Sequence, residues 1–316
     1  MNYVTIGIPF YNAEKTLADA IRAVFAQTYP YWELILIDDG STDRSLEIAR
    51  SVKDPRVRVI SDGKNLRLAA RLNQIAREAR YDFLARMDAD DLMAPDRIEK
   101  EMCLLEERPD IDLVSTGMFA YDSHFHLYSA RCLNVPEITK RTVGLGRSGI
   151  CHAAVLGRKA WFLRYPYDES FSIAQDTELW CRAALANDLK IALINEPLYA
   201  ACEESSCTSF QKYKRVTACS YRIFSRYRGK LIGSMPEHYK LMFVNCLGWG
   251  AKLLMHLMRI QKLRMKIRNS GKKSIISDAL RQQFETMVST VQAVHVPGLP
   301  DKTGDSEQDP HTIVDW

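Results

Sequence analysis

Two hydrophobic periodicities alternate over the first hundred residues of the chain. Short runs rich in β-branched and aromatic residues predict four strands, at 3–10, 32–41, 56–60 and 81–88. Segments with apolar residues at helical spacing lie between them and predict three helices, at about 17–25, 43–52 and 66–79. Strands that alternate with helices predict the α/β class, with a mostly parallel central sheet covered by helices on both faces.

The pattern is less regular in the middle of the chain. A helix at about 95–107 and a strand at 111–118 continue the alternation, and 149–163 is typical of a strand leading into a short helix. Residues 174–186 predict a helix opened by an acidic residue. We expect the main domain to span 1–210, a helical region to follow at 211–296, and 297–316 to form a flexible tail.

Polar clusters follow three of the four predicted strands, and they read PFYN, DDGS and DADD. The carboxyl ends of parallel strands meet at one edge of a sheet, where α/β proteins bind their ligands. No GxGxxG follows the first strand, which argues against a dinucleotide site of the Rossmann type.

Carboxylates are concentrated in the last of these clusters. Asp88 and Asp90 lie one residue apart, which suits Mn²⁺ or Mg²⁺ that takes its other ligands from a diphosphate and water. We expect Asp90 to be the direct ligand and Asp88 to lie near a ribose hydroxyl or a metal-bound water. Asp91 would support the loop or cap the helix that follows Pro95. The alternative is a solvated turn with a helix cap.

Composition narrows the class of protein. A chain of 316 residues with 47% hydrophobic content can form one large domain with an appendage. Its eight cysteines form no CxxC pair, which argues against a zinc site. The first ten residues lack a basic leader followed by an apolar stretch, so we expect the protein to stay in the cytoplasm.

Positive charge is concentrated near the C-terminus. Between Lys212 and Lys273 there are sixteen lysines and arginines against one acid, although the whole chain carries only +4. Residues 240–268 mix these charges with Leu, Met, Phe and Trp, which predicts a peripheral membrane contact at the inner face of the cell membrane. Packing on the main domain and an oligomer interface stay open as alternatives, and no nucleic-acid motif accompanies the charge.

Three motifs together resemble one known family. Residues 8–45 (IPFYNAEKTLADAIRAVFAQTYPYWELILIDDGSTDRS), 85–91 (ARMDADD) and 175–182 (QDTELWCR) resemble the inverting glycosyltransferases of family 2, of the bacterial cell-surface polysaccharide type. The resemblance covers about 1–210 and implies a GT-A fold. It implies a nucleotide-sugar-binding half at 1–118, Rossmann-like in character, an acceptor-side half at 119–210, and a helical C-terminal extension.

The resemblance also implies roles for particular residues. The loop after the first strand would hold the base and ribose of the nucleotide sugar, with an aromatic ring packed on the base; its residues are Pro9, Phe10, Tyr11, Asn12 and Glu14. Asp39 would accept a hydrogen bond from a uracil or thymine imide, and Arg71 would lie near the donor phosphates. Asp88 and Asp90, with Ala89 between them, would form the DxD motif for ribose and metal.

The remaining implied residues lie in the second half of the domain. Asp176 matches the catalytic base, although Gln175 stands where many relatives have a second acid. An ordinary helix cap is the alternative for Asp176. His152 matches a histidine near the phosphates or metal, and a packed core histidine is its alternative.

These observations predict a metal-dependent enzyme that moves a sugar from a UDP- or dTDP-sugar to a saccharide or lipid-linked saccharide, in polysaccharide or lipopolysaccharide biosynthesis. Two alternatives use the same acids. One is a Mg²⁺-dependent nucleotidyltransferase, and the other is a membrane-associated nucleotide-binding scaffold whose catalytic site is altered, for which Gln175 is the supporting feature.

Overall fold

The computed structural model describes residues 2–134, 137–203, 210–233 and 276–301, with seven further positions between 239 and 254. Within these residues the strands are β1 (Val4–Phe10), β2 (Trp32–Asp38), β3 (Val57–Ser61), β4 (Phe83–Arg86), β5 (Leu92–Met93), β6 (Leu113–Tyr121), β7 (Leu127–Arg131), β8 (Leu156–Arg158) and β9 (Ile191–Cys202). The α-helices are α1 (Leu17–Phe25), α2 (Ser45–Ser51), α3 (Arg67–Glu78), α4 (Arg97–Glu107), α5 (Lys140–Gly144), α6 (Lys159–Arg164), α7 (Gln175–Leu185), α8 (Phe210–Ile223), α9 (Gly229–Ile232) and α10 (Asp278–Gln292). A 3₁₀ turn at His152–Ala154 precedes β8, and a π-helical turn at Phe224–Arg228 follows α8.

All of these strands belong to one sheet, in the order β3-β2-β1-β4-β8-β6-β9-β5, with β7 paired to β6. The first four strands are parallel to one another, as the sequence predicts. The second half is mixed, because β8 runs antiparallel to both β4 and β6 while β6 and β9 are parallel. The α/β class is confirmed, and its parallel part is the half that ends in the polar clusters.

The central strands are parallel because helices cover both of their faces. Every residue of β1 and β2 is buried. Leu34 and Leu36 of β2 belong to the core on the α1 face, whereas Ile35 and Ile37 point into the core on the α3 face. Residues 34–37 of this strand are therefore a continuous apolar run.

The C-terminal extension returns to the main domain. Helix α10 buries four residues of one face, Phe284, Met287, Val288 and Val291. The Phe284 ring packs edge-on against Phe119 of β6, with 5.4 Å between ring centroids. Helix α10 is therefore part of the core that supports β6.

The first five residues of the predicted tail at 297–316 lie against the main domain in this structure. The carbonyl oxygen of Pro297 accepts a hydrogen bond from the Lys53 amide at 2.7 Å, and that of Pro300 accepts one from the Arg22 guanidinium. Leu299 is buried in the same core as α1. These residues fill the edge between α1 and α2, and residues 302–316 lie outside the described part.

The region predicted to contact a membrane, 240–268, lies almost entirely outside the described residues. Before it, α8 and α9 pack on the main domain through Cys219, Ile223 and Leu231. Among the helices that the structure describes, none combines the length and the apolar character needed to cross a bilayer.

Candidate active site

The carboxyl ends of β2 and β4 lie on either side of the end of β1. Asp39, directly after β2, donates its amide proton to the Phe10 carbonyl at 2.8 Å. Met87, directly after β4, donates its amide proton to the Gly7 carbonyl at 3.2 Å. The chain segments that carry Asp39 and Asp88 therefore leave the sheet beside the same strand, as the sequence predicts.

The loop after β1 supplies one aromatic ring near this edge. Pro9 and Phe10 are buried, and Phe10 has no exposed surface because its ring belongs to the core beside α1. Tyr11 is half-buried. Of the two rings, only that of Tyr11 retains surface on which a base could pack.

Asn12 and Glu14 use their side chains to join the loops that follow β1 and β2. The Asn12 side-chain oxygen accepts a hydrogen bond from the Thr42 amide at 2.8 Å, and Asn12 itself has a positive φ of 49°. A Glu14 carboxylate oxygen accepts from the Arg44 amide at 3.1 Å. These two residues shape the edge of the site through loop-to-loop contacts.

Asp39 forms a buried ion pair with Arg71 of α3. Its carboxylate accepts hydrogen bonds from Arg71 Nε at 2.8 Å and from the amides of Leu66 and Arg67 at 2.7 and 3.0 Å. A carboxylate has about four acceptor positions, so room remains for one more donor. This geometry is compatible with the predicted contact of Asp39 with a base.

The predicted phosphate contact of Arg71 stays a prediction, and in this structure the Arg71 side chain contacts protein acceptors. The Arg71 side chain has no exposed surface, and each of its nitrogen atoms donates to a protein acceptor. Besides Asp39, the acceptors are Asp62, Gln74 and the Lys64 carbonyl. Arg71 therefore orders the loop around Asp39, and no donor of its guanidinium is left for a phosphate.

Three carboxylates meet at the end of β4. Oxygen atoms of Asp88, Asp90 and Asp91 all lie within 4.8 Å of one another, and this is the only such group of possible metal ligands among the described residues. Asp91 is buried and accepts hydrogen bonds from the Tyr199 hydroxyl at 2.7 Å and the Cys202 amide at 2.9 Å. Asp91 thus supports the loop through β9, one of the two roles predicted for it.

Like charges and burial change the acidity of these groups. Loss of hydration raises the pKa of the Asp90 carboxyl to about 6, and the charge of Asp88 adds to this effect, although Asp90 keeps exposed surface. Burial, followed by the charges of Asp90 and Asp88, raises the pKa of Asp91 well above its ordinary value. The cluster is short of positive charge.

The donor set suits a hard divalent cation with oxygen ligands. Asp90 is exposed and accepts no hydrogen bond from another side chain in the described part of the chain, so its carboxylate is available as a direct ligand. Asp88 has one oxygen engaged by Arg86 and another to offer. The residues at this position therefore fit the predicted Mn²⁺ or Mg²⁺.

Arg86, the last residue of β4, is the arginine that contacts the DxD motif. Its Nη2 donates to a carboxylate oxygen of Asp88 at 2.7 Å, and the residue is 5% exposed. Its Nε is buried and has no hydrogen-bond partner in the described part of the chain. Burial opposes the charge of Arg86, but Asp88, and more weakly Asp176, hold its pKa above the ordinary value.

Asp176 lies in the first turn of α7, where its side chain is partly exposed. The one hydrogen bond to its carboxylate from the described residues comes from the Thr177 hydroxyl, at 3.4 Å. The preceding Ala174 has a positive φ of 61°, which turns the chain sharply into the helix. Asp176 is therefore a weakly engaged carboxylate, and it lies near enough to Arg86 and Tyr167 to act on them electrostatically.

Neither Gln175 nor Glu178 of α7 supplies a second free carboxylate beside Asp176. Gln175 is buried. Glu178 is also buried, and its carboxylate binds Arg182 at 2.9 Å and the Tyr227 hydroxyl at 2.7 Å. Glu178 joins α7 to the C-terminal extension.

His152 is paired with a tyrosine and does not join the acidic cluster. Its Nε2 lies 2.8 Å from the Tyr167 hydroxyl, and its ring is edge-on to the Trp180 ring. Burial, helped by the charge of Arg86, lowers the pKa of His152 well below its ordinary value. His152 is thus a neutral partner of Tyr167, and Trp180 is a packing residue.

Comparison with protein families agrees with this site. The model of the family described as "Glycosyl transferase family 2" matches residues 5–165, half of the chain. The chain belongs to glycosyl transferase family 2. It is therefore a glycosyltransferase, and the predicted family is confirmed.

Several bacterial proteins are similar in sequence. The chain is 33% identical over 208 residues to the putative glycosyltransferase EpsE of Bacillus subtilis, a match that covers 64% of this chain and 73% of that protein. It is 31% identical over 214 residues to chondroitin synthase of Escherichia coli, covering 66% of this chain and only 30% of that longer protein. A putative teichuronic acid biosynthesis glycosyltransferase, TuaG of B. subtilis, is 32% identical over 107 residues, covering 33% of this chain and 42% of that protein. These names support the bacterial polysaccharide type.

The fold of this family member matches solved structures. Residues 1–349 of S. aureus TarS in complex with UDP align over 92% of this chain and 89% of that one, with a TM-score of 0.60 and 16% identity. The complex of the same TarS fragment with UDP-GlcNAc aligns with a TM-score of 0.59 and 14% identity, over 92% of this chain and 81% of that one. The predicted GT-A fold is confirmed.

Sequence reasoning missed three residues of this glycosyltransferase site. They are Arg86, Tyr167 and Tyr199, which contact Asp88, His152 and Asp91. A signal existed for Arg86, because an arginine inside the apolar run FLARM is unusual for a buried strand. Tyr167 and Tyr199 lie in segments that carry no motif.

Proposed function

We propose that the chain is a metal-dependent, inverting glycosyltransferase that moves a sugar from a UDP-sugar, or a dTDP-sugar, to a saccharide or lipid-linked saccharide. One observation carries the proposal. Asp88 of the DxD motif and Asp176 both lie near enough to Arg86 and Tyr167 to shift the pKa of these two residues, which supports a cation-binding motif and a candidate base in one small region. This arrangement is the one that sugar transfer from a nucleoside diphosphate requires.

The chemistry at this region is a single displacement. The acceptor hydroxyl oxygen forms a bond to C1 of the sugar while its proton passes to the carboxylate of Asp176. The bond between C1 and the diphosphate oxygen breaks, and its electron pair stays on the leaving oxygen. Attack from the face opposite the leaving group inverts the configuration at C1.

Asp88 and Asp90 would hold the cation beside the diphosphate. A bound Mn²⁺ or Mg²⁺ supplies positive charge that offsets the charge of the leaving group. Asp91 and Tyr199 would keep the loop in place, because Asp91 is anchored to β9 from both of its oxygens.

Asp39 supports the choice of a uracil or thymine nucleotide. Its carboxylate is fixed by three donors and retains capacity for one imide N–H. The TarS structures that share this fold were solved with UDP and with UDP-GlcNAc, which supports UDP as the first nucleotide to test.

The acceptor proposal rests on the relatives and on the basic segment. TuaG is named for teichuronic acid biosynthesis, which supports a role in the assembly of a cell-surface polysaccharide or lipopolysaccharide. We place the enzyme at the inner face of the cell membrane, held there by residues 240–268. Within that range the described positions Phe243, Leu247 and Leu254 are helical and each more than half exposed. Basic groups near anionic lipids add about 1 kcal/mol each.

Thermal unfolding with nucleotides tests the donor and metal together. UDP should raise the melting temperature, and Mn²⁺ should increase that rise, because the ligand and ion bind the folded state only. Asp90→Ala should remove the effect of Mn²⁺ while keeping part of the effect of UDP. The matched control is Asp96→Ala, which removes a nearby carboxylate paired with Lys100 outside the cluster. An equal Mn²⁺ effect in wild type and Asp90→Ala would rule out the metal assignment.

Vesicle flotation tests the membrane contact. The full chain should float with vesicles that contain phosphatidylglycerol and remain behind with phosphatidylcholine alone, and 0.5 M salt, on the order of a 4 Å Debye length, should release it. A variant with Lys262, Arg264, Lys266 and Arg268 changed to Gln should float less. Equal flotation with both vesicle types would contradict an electrostatic contact.

A further inference from the structure

Arg71 contacts Asp39 and Arg86 contacts Asp88, and these two arginines differ in how many of their N–H groups are unused. All three nitrogen atoms of the Arg71 guanidinium are engaged by protein acceptors. In Arg86 only Nη2 has a partner among the described residues, the Asp88 carboxylate at 2.7 Å. Its Nε is buried, and no described residue accepts a hydrogen bond from it. Arg71, which the family pattern assigns to the phosphates, has no unused N–H group. Arg86, which the family pattern does not assign to them, has unused N–H groups.

Buried arginine N–H groups that lack acceptors destabilise the folded chain unless a ligand supplies those acceptors. Leaving a buried polar group without a hydrogen bond costs free energy, and the cost is larger for a charged group. Most buried donors in proteins are therefore paired. The groups around Arg86 do not fill the gap, because Tyr167 and Tyr199 bond to His152 and Asp91 instead.

The position of Arg86 indicates what kind of ligand would accept hydrogen bonds from its unused N–H groups. It contacts the first carboxylate of the DxD motif, beside which the proposed function places the donor diphosphate. His152 is held neutral by burial and by the charge of Arg86, so it offers no positive charge there. Planar guanidinium groups pair well with phosphate oxygens and do so at short range.

On this basis, and resting on the proposed function, we propose that Arg86 binds the diphosphate of the nucleotide-sugar donor through its unused N–H groups while Nη2 holds Asp88. Arg86 then has a second task when the bond to C1 breaks. The electron pair of that bond remains on the leaving phosphate oxygen, and the fixed positive charge of Arg86 lies beside the charge that develops. No proton moves to or from Arg86.

The test compares nucleotide binding in wild type and Arg86→Gln by calorimetry, with UDP as the probe. Measurements in EDTA are decisive, since they separate a direct phosphate contact from an effect on metal binding through Asp88. We expect the UDP dissociation constant in EDTA to rise about tenfold to a hundredfold in the variant. The affinity for uridine, measured by NMR titration, should change less than about twofold, since uridine has no phosphate.

Two further variants protect the test from a folding defect. Arg58→Gln removes an arginine that pairs with Glu33 and Glu78 away from the site, and it should leave UDP affinity unchanged. Arg86→Lys keeps the charge without the planar fork, and its loss should be smaller, about threefold to tenfold. If Arg86→Gln does not fold, Arg86→Lys carries the comparison.

Three results would overturn the proposal. UDP affinity in EDTA that is equal in wild type and both Arg86 variants would do so while leaving the proposed function in place. A loss seen only in Mn²⁺ would assign Arg86 to the positioning of Asp88 alone. Wild type that binds neither UDP nor dTDP under any condition would remove the proposed donor, and this inference with it.

Discussion

The hydroxyl of Tyr199 on β9 donates a 2.7 Å hydrogen bond to the buried carboxylate of Asp91, and its oxygen also accepts from the Asp88 amide at 3.1 Å. One side chain from the second half of the sheet thus fixes two residues of the acidic loop. The acidic loop of Asp88 and Asp91 is held by β9, more than a hundred residues further along the chain.

Tyr199→Phe should weaken both folding and metal binding. The substitution leaves a buried carboxylate oxygen and the Asp88 amide without their partner, which costs about 1–3 kcal/mol of the free energy of unfolding. Loss of such an outer contact should reduce Mn²⁺ affinity about tenfold to a hundredfold. Urea unfolding and Mn²⁺ titration measure these effects, with exposed Tyr3→Phe as the control. Unchanged Mn²⁺ affinity would show that the loop keeps its shape without Tyr199.

Arg71→Gln should destabilise the protein without a specific loss of phosphate binding. Arg71 and Asp39 are fully buried, so removal of the cation leaves an uncompensated carboxylate, at a cost of about 3–5 kcal/mol. The ratio of UDP to uridine affinity should stay as in wild type, in contrast to Arg86→Gln. A fall in that ratio would restore Arg71 to the phosphate contact predicted from the sequence.

Asp176→Asn should abolish catalysis and spare donor binding. Loss of a general base lowers the turnover rate by about 10² to 10⁴-fold, whereas the Asp176 carboxylate accepts only a long hydrogen bond from Thr177 and adds little to the fold. Transfer is measured with a panel of UDP-sugars and saccharide acceptors, and UDP affinity by calorimetry. Thr177→Val is the control for the local hydrogen bond. Turnover close to wild type in Asp176→Asn would assign the base to another residue.

Glu101 of α4 should make the protein less stable as pH rises from about 5 to 8. Burial raises its pKa to about 8, and its buried partner Arg97 only partly opposes this. The folded chain then holds the proton that the unfolded chain releases near pH 4.5, so the free energy of unfolding falls across this window.

Urea unfolding at pH 5, 6, 7 and 8 measures this slope. Glu101→Gln should flatten it, since the amide does not titrate, and Glu107→Gln on the exposed side of the same helix should leave it unchanged. If the free energy of unfolding changes equally with pH in wild type and in Glu101→Gln, the Glu101 carboxyl is charged throughout this range. Its ion pair with Arg97 would then outweigh its burial.

Gly298→Ala should loosen the C-terminal residues. Gly298 has a φ of 91°, and a Cβ there would overlap the carbonyl oxygen of Ser51. Gly63→Ala is a matched control, because Gly63 has a φ of 70° but open space around its Cα. Both variants bear backbone strain of about 1 kcal/mol, and only Gly298→Ala should also speed proteolysis after residue 293. Equal proteolysis would show that the turn is not needed to hold the segment.

The first half of the fold was predictable because the pattern of each segment agrees with its place in the sheet. Apolar strands buried on both faces alternate with amphipathic helices, and each strand ends in polar residues. The second half was harder. Strand β5 has only two residues, and β9 contains Asn195, Glu196 and Pro197, a polar stretch with a proline that is typical of a strand break. The register of β9 against β6 shifts at this point.

Helix α10 carried a signal that went unused. Phe284, Met287, Val288 and Val291 recur at spacings of three and four residues, which predicts one apolar helix face. The partner of that face, β6, lies far away in the sequence, so no local pattern identifies the contact. The hydrogen-bond partners of Arg71 and Arg86 could not be predicted for the same reason, because the acceptors around a guanidinium come from separate parts of the chain.

The return of residues 276–301 to the core has a practical consequence for anyone who shortens this chain. A stop codon placed before the basic stretch would also delete the aromatic ring of Phe284 that covers Phe119, together with the residues that close the edge between α1 and α2. Such a fragment is expected to lose solubility at the same time as the proposed vesicle binding. Charge-neutralising substitutions inside an otherwise intact chain keep these two properties separable.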